Sequence, residues 1–228
     1  MPKNKKTILA LIPARSGSNS INNKNIKIYK GKPLLAHSIL VAKRSSFIDK
    51  IIVSTDSKKY KKISEKFGAE VPFLRPKKIS SKKSLDIDFI KHCYSYCKRL
   101  KYTPDIIILL RPTSPNRKVK ILDDGIKHFL KNFKKYDSMR SVSIFNQPPQ
   151  KLFQIKNNRL MGFFDKYLKG EYHGKPRQNY PKTYLPNGYI DAFKPKFFTN
   201  KNDQLFGKIL PFITDEILDI DEKKDLKK

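Results

Sequence analysis

The chain has 228 residues, with 50 Lys and Arg against 20 Asp and Glu and a formal charge of +30 at neutral pH. That length supports one substantial core with at most a small appendage. No stretch approaches the roughly 20 consecutive apolar residues of a membrane-spanning helix. The first apolar run breaks at Pro13 and Arg15, too short and wrongly flanked for a signal peptide, so a cytoplasmic protein is expected.

In chain order, residues 7–12 predict a buried strand and 33–44 a helix with Pro33 in its first turn. A second strand follows at 50–54, then a helix over 57–67 that stops near Gly68. A short extended piece at 71–74 precedes a longer helix at 85–100, a third strand at 105–110 and a helix at 119–131. Continuous apolar strands separated by helices imply a mainly parallel sheet covered on both faces, a three-layer α/β architecture. After about residue 138 the pattern changes. Short strands are expected at 141–145 and 151–155, then a polar region to 182, then strand-like segments at 189–193, 208–213 and 217–221. The expectation is one domain over 1–228 with a protruding insertion at about 139–182.

The charge admits two interpretations: nucleic-acid binding through counterion release, or a solvated lysine-rich surface. Lysine far outnumbers arginine, is scattered through every segment, and accompanies no RNA-recognition or zinc-finger signature. The second interpretation is preferred, with no specific nucleic-acid partner. Cys93 and Cys97 are too few for a zinc site and wrongly spaced for a redox pair, so they are expected as buried thiols on a helix. None of the four histidines falls in a metal or nucleophile motif.

The loop after the first strand carries the chemistry. Ala14-Arg15-Ser16-Gly17-Ser18 follows the carboxyl end of a buried strand, where open α/β sheets bind ligands. Small residues let backbone amides approach an anion, and Arg15 and Lys24 supply charge for phosphate oxygens. The loop is neither a Walker loop nor a dinucleotide fingerprint. Arg111, Pro112, Thr113 and Ser114 follow the third strand and so sit at the same sheet edge; Thr113 and Ser114 suit a helix cap equally well. Thr55-Asp56-Ser57 is taken as a helix cap only. Asp219 and Asp221, two apart in an extended segment, would point their carboxylates to one face, as one Mg²⁺ requires; they equally suit a pair of solvated acids.

In their order along the chain these segments resemble the CMP-acylneuraminate synthetases and their legionaminate and pseudaminate relatives. The resemblance runs from the Leu11–Ser18 loop with Lys24-Asn25-Ile26, through Gly31-Lys32-Pro33-Leu34-Leu35, Val53-Ser54-Thr55-Asp56 and the Gly68 to Pro76 stretch, to Leu110-Arg111-Pro112-Thr113-Ser114-Pro115. Arg177-Gln178, Pro186-Asn187-Gly188 and Asp219-Ile220-Asp221 complete it, and residues 177–189 look closest to the legionaminate branch. The resemblance implies a Rossmann-like nucleotidyltransferase sheet, with the insertion serving dimerisation and acceptor binding. It implies Mg²⁺-dependent transfer of CMP from CTP to the anomeric hydroxyl of a nine-carbon acidic keto sugar, by a homodimer.

By the same resemblance Arg15, Lys24 and Asp221 are catalytic. Ala14, Ser18, Asn25, Arg75, Ser84, Arg111, Pro112, Thr113 and Ser114 contact nucleotide with Arg15 and Lys24. Lys151, Arg177, Gln178 and Asn187 contact acceptor, and Asp219 and Asp221 hold the metal. Asn19 and Ser20 depart from the lysine and glycine common there, and Lys82-Lys83 from an Asp-Thr pair. The alternatives are activation of an eight-carbon 3-deoxy-octulosonate, and a basic polyanion-binding protein that keeps the fold without catalysis.

Overall fold

The computed structural model describes residues 5–17, 20–199, 205–215 and 217–227. In chain order it comprises β1 (Ile8–Pro13), β2 (Ile28–Tyr29), β3 (Lys32–Pro33), α1 (Leu34–Arg44), β4 (Lys50–Ser54), α2 (Lys58–Lys66), α3 (Asp86–Arg99), β5 (Ile106–Leu109) and α4 (Val119–Lys131). There follow β6 (Ser138–Phe145), β7 (Phe153–Lys156), β8 (Arg159–Gly162), β9 (Thr183–Phe193), α5 (Pro195–Thr199) and β10 (Ile209–Ile213).

Six strands form one sheet in the order β10-β6-β9-β5-β1-β4. β1 lies parallel between β4 and β5, β10 pairs parallel with β6, and β9 alone runs antiparallel to its neighbours. Strand alternation divides the core between the two faces. Ile8, Ala10 and Ile12 join Leu35 and Ile39 of α1 and Leu122, Ile126 and Phe129 of α4. Leu9 and Leu11 meet Phe89, Ile90, Cys93 and Cys97 of α3. Because both faces are covered, β1 reads as uninterrupted apolar sequence. The expected three-layer, mainly parallel α/β fold is therefore present, and both cysteines are buried and free.

Ser57 caps α2, its hydroxyl accepting from Tyr60 N at 3.3 Å, and Gly68 takes φ +92° just beyond the helix. The extended piece expected at 71–74 joins no sheet, and the strand-like segment expected at 217–221 does not form a strand. The first is preceded by an isolated bridge between Ile52 and Glu70, and among the described residues 217–221 pair with no strand. β9 is longer than expected because its first half pairs with the outer half of β6, Thr183 opposite Phe145. Between β6 and β9 lie the β7-β8 hairpin and three single 3-10 turns. This region exposes Ile155, Leu160 and Tyr167 by 69–77%. No described helix is long and apolar enough to cross a membrane.

Candidate active site

The carboxyl ends of β1 and β5 open onto one cavity of about 530 Å³. Among the described residues five cationic side chains line it, Arg15, Lys24, Arg75, Lys82 and Arg111, with three carboxylates, Asp86, Asp219 and Asp221. Ser20, Asn25, Ser84, Phe89, Pro112 and Thr113 complete most of the wall.

The loop after β1 is tied down on two sides. Ala14 N extends the pairing with β4 by donating to Ser54 O at 2.9 Å. Asp56 accepts from Ser16 N at 2.8 Å and Ser16 Oγ at 2.9 Å. Asn25, buried in the 3-10 turn Lys24–Ile26, donates to Arg15 O at 2.9 Å, so it shapes the loop rather than reaching far into the cavity. The Arg15 guanidinium donates to Gly17 O. Lys24 donates to Asp221 Oδ1 at 2.8 Å, which bridges this loop to the C-terminal segment.

That segment is positioned by Ile220. Its amide donates to Thr113 O at 2.8 Å, and its side chain is fully buried among Ile21, Tyr29 and Leu34. In extended chain, burying the middle residue turns both neighbours the other way. Asp219 and Asp221 accordingly both line the cavity. Among the described residues no cluster of three or more His, Cys, Asp or Glu could hold a metal unaided. Two hard oxygen donors beside a cation-rich cavity still fit magnesium, which commonly takes one or two carboxylates plus substrate phosphates. The Lys24 ammonium on Asp221 shows that this carboxylate already attracts positive charge.

Arg75 is 5% exposed, donates to Ser54 Oγ and Ser54 O at 3.0 and 2.6 Å, and stacks 4.6 Å above Phe89. Burial lowers its pKa to about 10, with Asp56 partly offsetting. It buttresses the cavity with two of its three guanidinium nitrogens bonded to Ser54. Arg111 pairs with Asp86 at 2.5 Å and lies 3.7 Å from buried Asp191, which Arg140 approaches to 3.5 Å. Burial opposes the Arg111 charge, but Asp86 and then Asp191 outweigh it and its pKa rises. Burial pushes the Asp191 carboxyl up, and Arg140 and Arg111 pull it back only partly.

Arg117 gave no signal in the sequence, yet it organises this edge. It is 4% exposed and donates to Tyr189 O at 2.7 Å, Ser38 Oγ at 3.0 Å and Arg111 O at 3.2 Å. One side chain thus joins α1, the loop after β5 and β9. Gly188 belongs to the same cluster, at φ +66° with Arg111 Cδ 3.3 Å from where a Cβ would stand. Gly188→Ala should therefore cost about 1–2 kcal/mol in thermal unfolding, because an L-residue is strained in that conformation, and should weaken nucleotide binding by displacing Arg111. Unchanged melting and affinity would refute this.

Other expected residues lie elsewhere. Ser114 is 1% exposed, its hydroxyl meets no hydrogen-bond partner among the described residues, and it is not among those that line the cavity. Asn187 is committed to its turn, donating to Thr214 Oγ1 at 2.8 Å and accepting from Tyr189 N at 3.2 Å. Arg177 and Gln178 line a separate cavity of about 430 Å³ beside the paired end of β6 and start of β9, where Arg177 donates to Asn146 Oδ1 at 3.1 Å. Lys151 sits 5.9 Å from the Tyr180 ring. Ser18 falls outside the described residues. Asp86 and Asp56 were missed: the first resembles any acid in a helix's first turn, and the second was set aside as part of a cap.

The profile of the family described as cytidylyltransferase matches residues 9–166. The chain is 35% identical to the N-acylneuraminate cytidylyltransferase of Escherichia coli O18:K1:H7, an alignment covering 96% of this chain and 50% of that protein. It thus spans about half the length of that relative. It is 29% identical to the pseudaminic acid cytidylyltransferase of Campylobacter jejuni, covering 96% of this chain and 93% of that protein. Its fold superposes on a CMP:2-keto-3-deoxy-manno-octonic acid synthetase complexed with CTP, with TM-score 0.69 and 15% identity over 97% of this chain and 95% of that one. Fold, cavity and sequence agree that the chain belongs to the cytidylyltransferase family.

Proposed function

We propose that the chain transfers CMP from CTP to the anomeric hydroxyl of a nine-carbon acidic keto sugar and releases pyrophosphate. The observation that carries this reading is one cavity at the carboxyl ends of β1 and β5 that combines five cationic side chains with the Asp219–Asp221 pair. The names of the Escherichia coli and Campylobacter jejuni relatives point to N-acylneuraminate and pseudaminic acid as the acceptor class.

Transfer at the α-phosphorus asks a protein mainly to position the reactants and neutralise charge. Arg15 and Lys24 are assigned to the phosphate chain, with backbone amides of the loop after β1. Pro112 and Thr113 form a stiff wall suited to the cytosine edge, held by the bonds of Ser38 and Arg117 to Arg111 O. Asp219 and Asp221 would hold Mg²⁺. Such an ion, when bound, offsets phosphate charge and lowers the pKa of a hydroxyl attached to it.

Arg177, whose planar fork suits a carboxylate, together with Gln178 and Lys151 would serve the acceptor. These residues lie outside the nucleotide cavity of their own chain. A homodimer that sets residues 139–182 of one copy against the other copy's cavity would bring them to the reaction, and the exposed Ile155, Leu160 and Tyr167 suit such an interface. CTP supply assigns the reaction to the cytoplasm.

The test is product formation from CTP and Mg²⁺ with N-acetylneuraminate, diacetyllegionaminate, pseudaminate and 3-deoxy-manno-octulosonate, followed by mass spectrometry. A CMP-linked product from one nine-carbon acid is expected. Product only with the eight-carbon acid would reassign the acceptor, and none with any acid would refute the nine-carbon reading.

A further inference from the structure

Four of the five cations in the nucleotide cavity are already engaged. Lys24 is paired with Asp221 and Arg111 with Asp86, Arg75 is bonded to Ser54 and stacked on Phe89, and Arg15 donates to Gly17 O. Lys82 is the fifth and the most exposed of them, and among the described residues its ammonium meets no carboxylate, carbonyl or ring.

The turn that presents Lys82 is closed on itself. Ser84 N donates to Ser81 O at 3.2 Å, and Ser81 N donates to Ser84 Oγ at 3.0 Å. The two hydroxyls lie 3.0 Å apart, and Lys83 N donates to Ser81 Oγ at 3.2 Å. These bonds hold the tip of the segment before α3 so that Lys82 lines the cavity, whereas its neighbour Lys83 does not. The loop after β1 has no cation at positions 19 and 20, and Ser20 brings only a hydroxyl to the wall.

We propose that Lys82 is a phosphate-binding residue of this chain, contacting the pyrophosphate portion of the bound nucleoside triphosphate; this rests on the CTP reading above. The other cations must exchange or share a protein partner to meet a phosphate. Lys82 gives up only water, and its ammonium is a compact charge on a long stem that can follow the leaving pyrophosphate. Its position at the exposed side of the cavity suits the end of the ligand with the densest charge. Charge at the site therefore comes from the segment before α3 as well as from the loop after β1.

Calorimetric titration with CTP and with CMP, in the presence of Mg²⁺, tests this on the wild-type protein and on Lys82→Ala, Lys82→Arg and Lys83→Ala. Lys82→Ala should weaken CTP binding roughly tenfold, the range of a lost charge-assisted contact, and leave CMP affinity within about twofold. Lys82→Arg should keep the wild-type ratio, and Lys83→Ala should change neither ligand. Equal losses for CTP and CMP, equal losses in Lys82→Ala and Lys83→Ala, or no loss in Lys82→Ala would each overturn the assignment. Wild-type protein that binds no CTP would sink the CTP reading itself, an outcome distinct from any of these.

Discussion

Asp221→Ala is expected to lower turnover at least about a hundredfold, the scale seen when one charge-stabilising group leaves a transition state, while CTP binding persists. Asp221 is 68% exposed on its side chain, so its loss should not disturb folding. In the present geometry it holds the Lys24 ammonium at 2.8 Å. Removing it takes a negative charge out of the cavity and frees Lys24 for phosphate. Without divalent metal, the variant should therefore bind CTP as tightly as wild type or more tightly. With Mg²⁺ the wild type should gain affinity and the variant should gain less. Normal turnover by Asp221→Ala would remove this residue from the metal assignment. Loss of CTP binding in metal-free buffer would contradict the charge argument as well.

Arg117→Ala should destabilise the fold by about 3 kcal/mol, because removing a buried charged group that bonds through all three guanidinium nitrogens takes a donor from each of its partners. Three of its acceptors are main-chain or hydroxyl oxygens from separate elements, Tyr189 O, Ser38 Oγ and Arg111 O. For a chain of this size that corresponds to a fall in melting temperature of roughly 6–12 °C. Burial already lowers the Arg117 pKa to about 10, so the group stays protonated at neutral pH and the effect should be flat from pH 6 to 8. Arg117→Lys should recover little, since one ammonium cannot span the positions that the guanidinium fork reaches. CTP affinity should fall in the same variants through the Arg111 loop. Melting within 2 °C of wild type, roughly 0.5–1 kcal/mol by the same scaling, would show that the cluster is not holding these elements together.

The layers were legible because local pattern and tertiary role coincide in them. β1 reads as unbroken apolar residues since both of its faces are covered, and α4 and β4 fall where periodicity and strand length place them. The outer half of β9 was not legible. Its pairing with β6 joins residues about 40 apart and its side chains are partly exposed, so no local alternation marks it. Residues 217–221 looked like a strand, yet what holds them is the buried Ile220, its amide bond to Thr113 O and the Lys24–Asp221 ion pair, rather than a partner strand.

At the site, Arg15, Lys24, Asp219 and Asp221 were singled out because motif position and chemistry pointed the same way, and the structure gathers them in one cavity. Arg117 and Lys82 were hidden by the abundance of basic residues: in a chain with 50 Lys and Arg, one more carries no signal. Burial singles out the first, and a self-bonded serine turn singles out the second. Ser114 and Asn187 show the converse, since their motif positions drew attention while their side chains face away from the cavity or serve a turn.

If this cavity binds CTP for attack by an acidic keto sugar, pyrophosphate must leave only when both are present. The most direct measurement is the initial rate of pyrophosphate release with Mg²⁺ and a nine-carbon keto acid, comparing CTP with UTP, ATP and GTP and with CTP alone. Release that requires both CTP and the acid is the predicted result. Release from CTP without acceptor, or equal release from all four nucleotides, would contradict it.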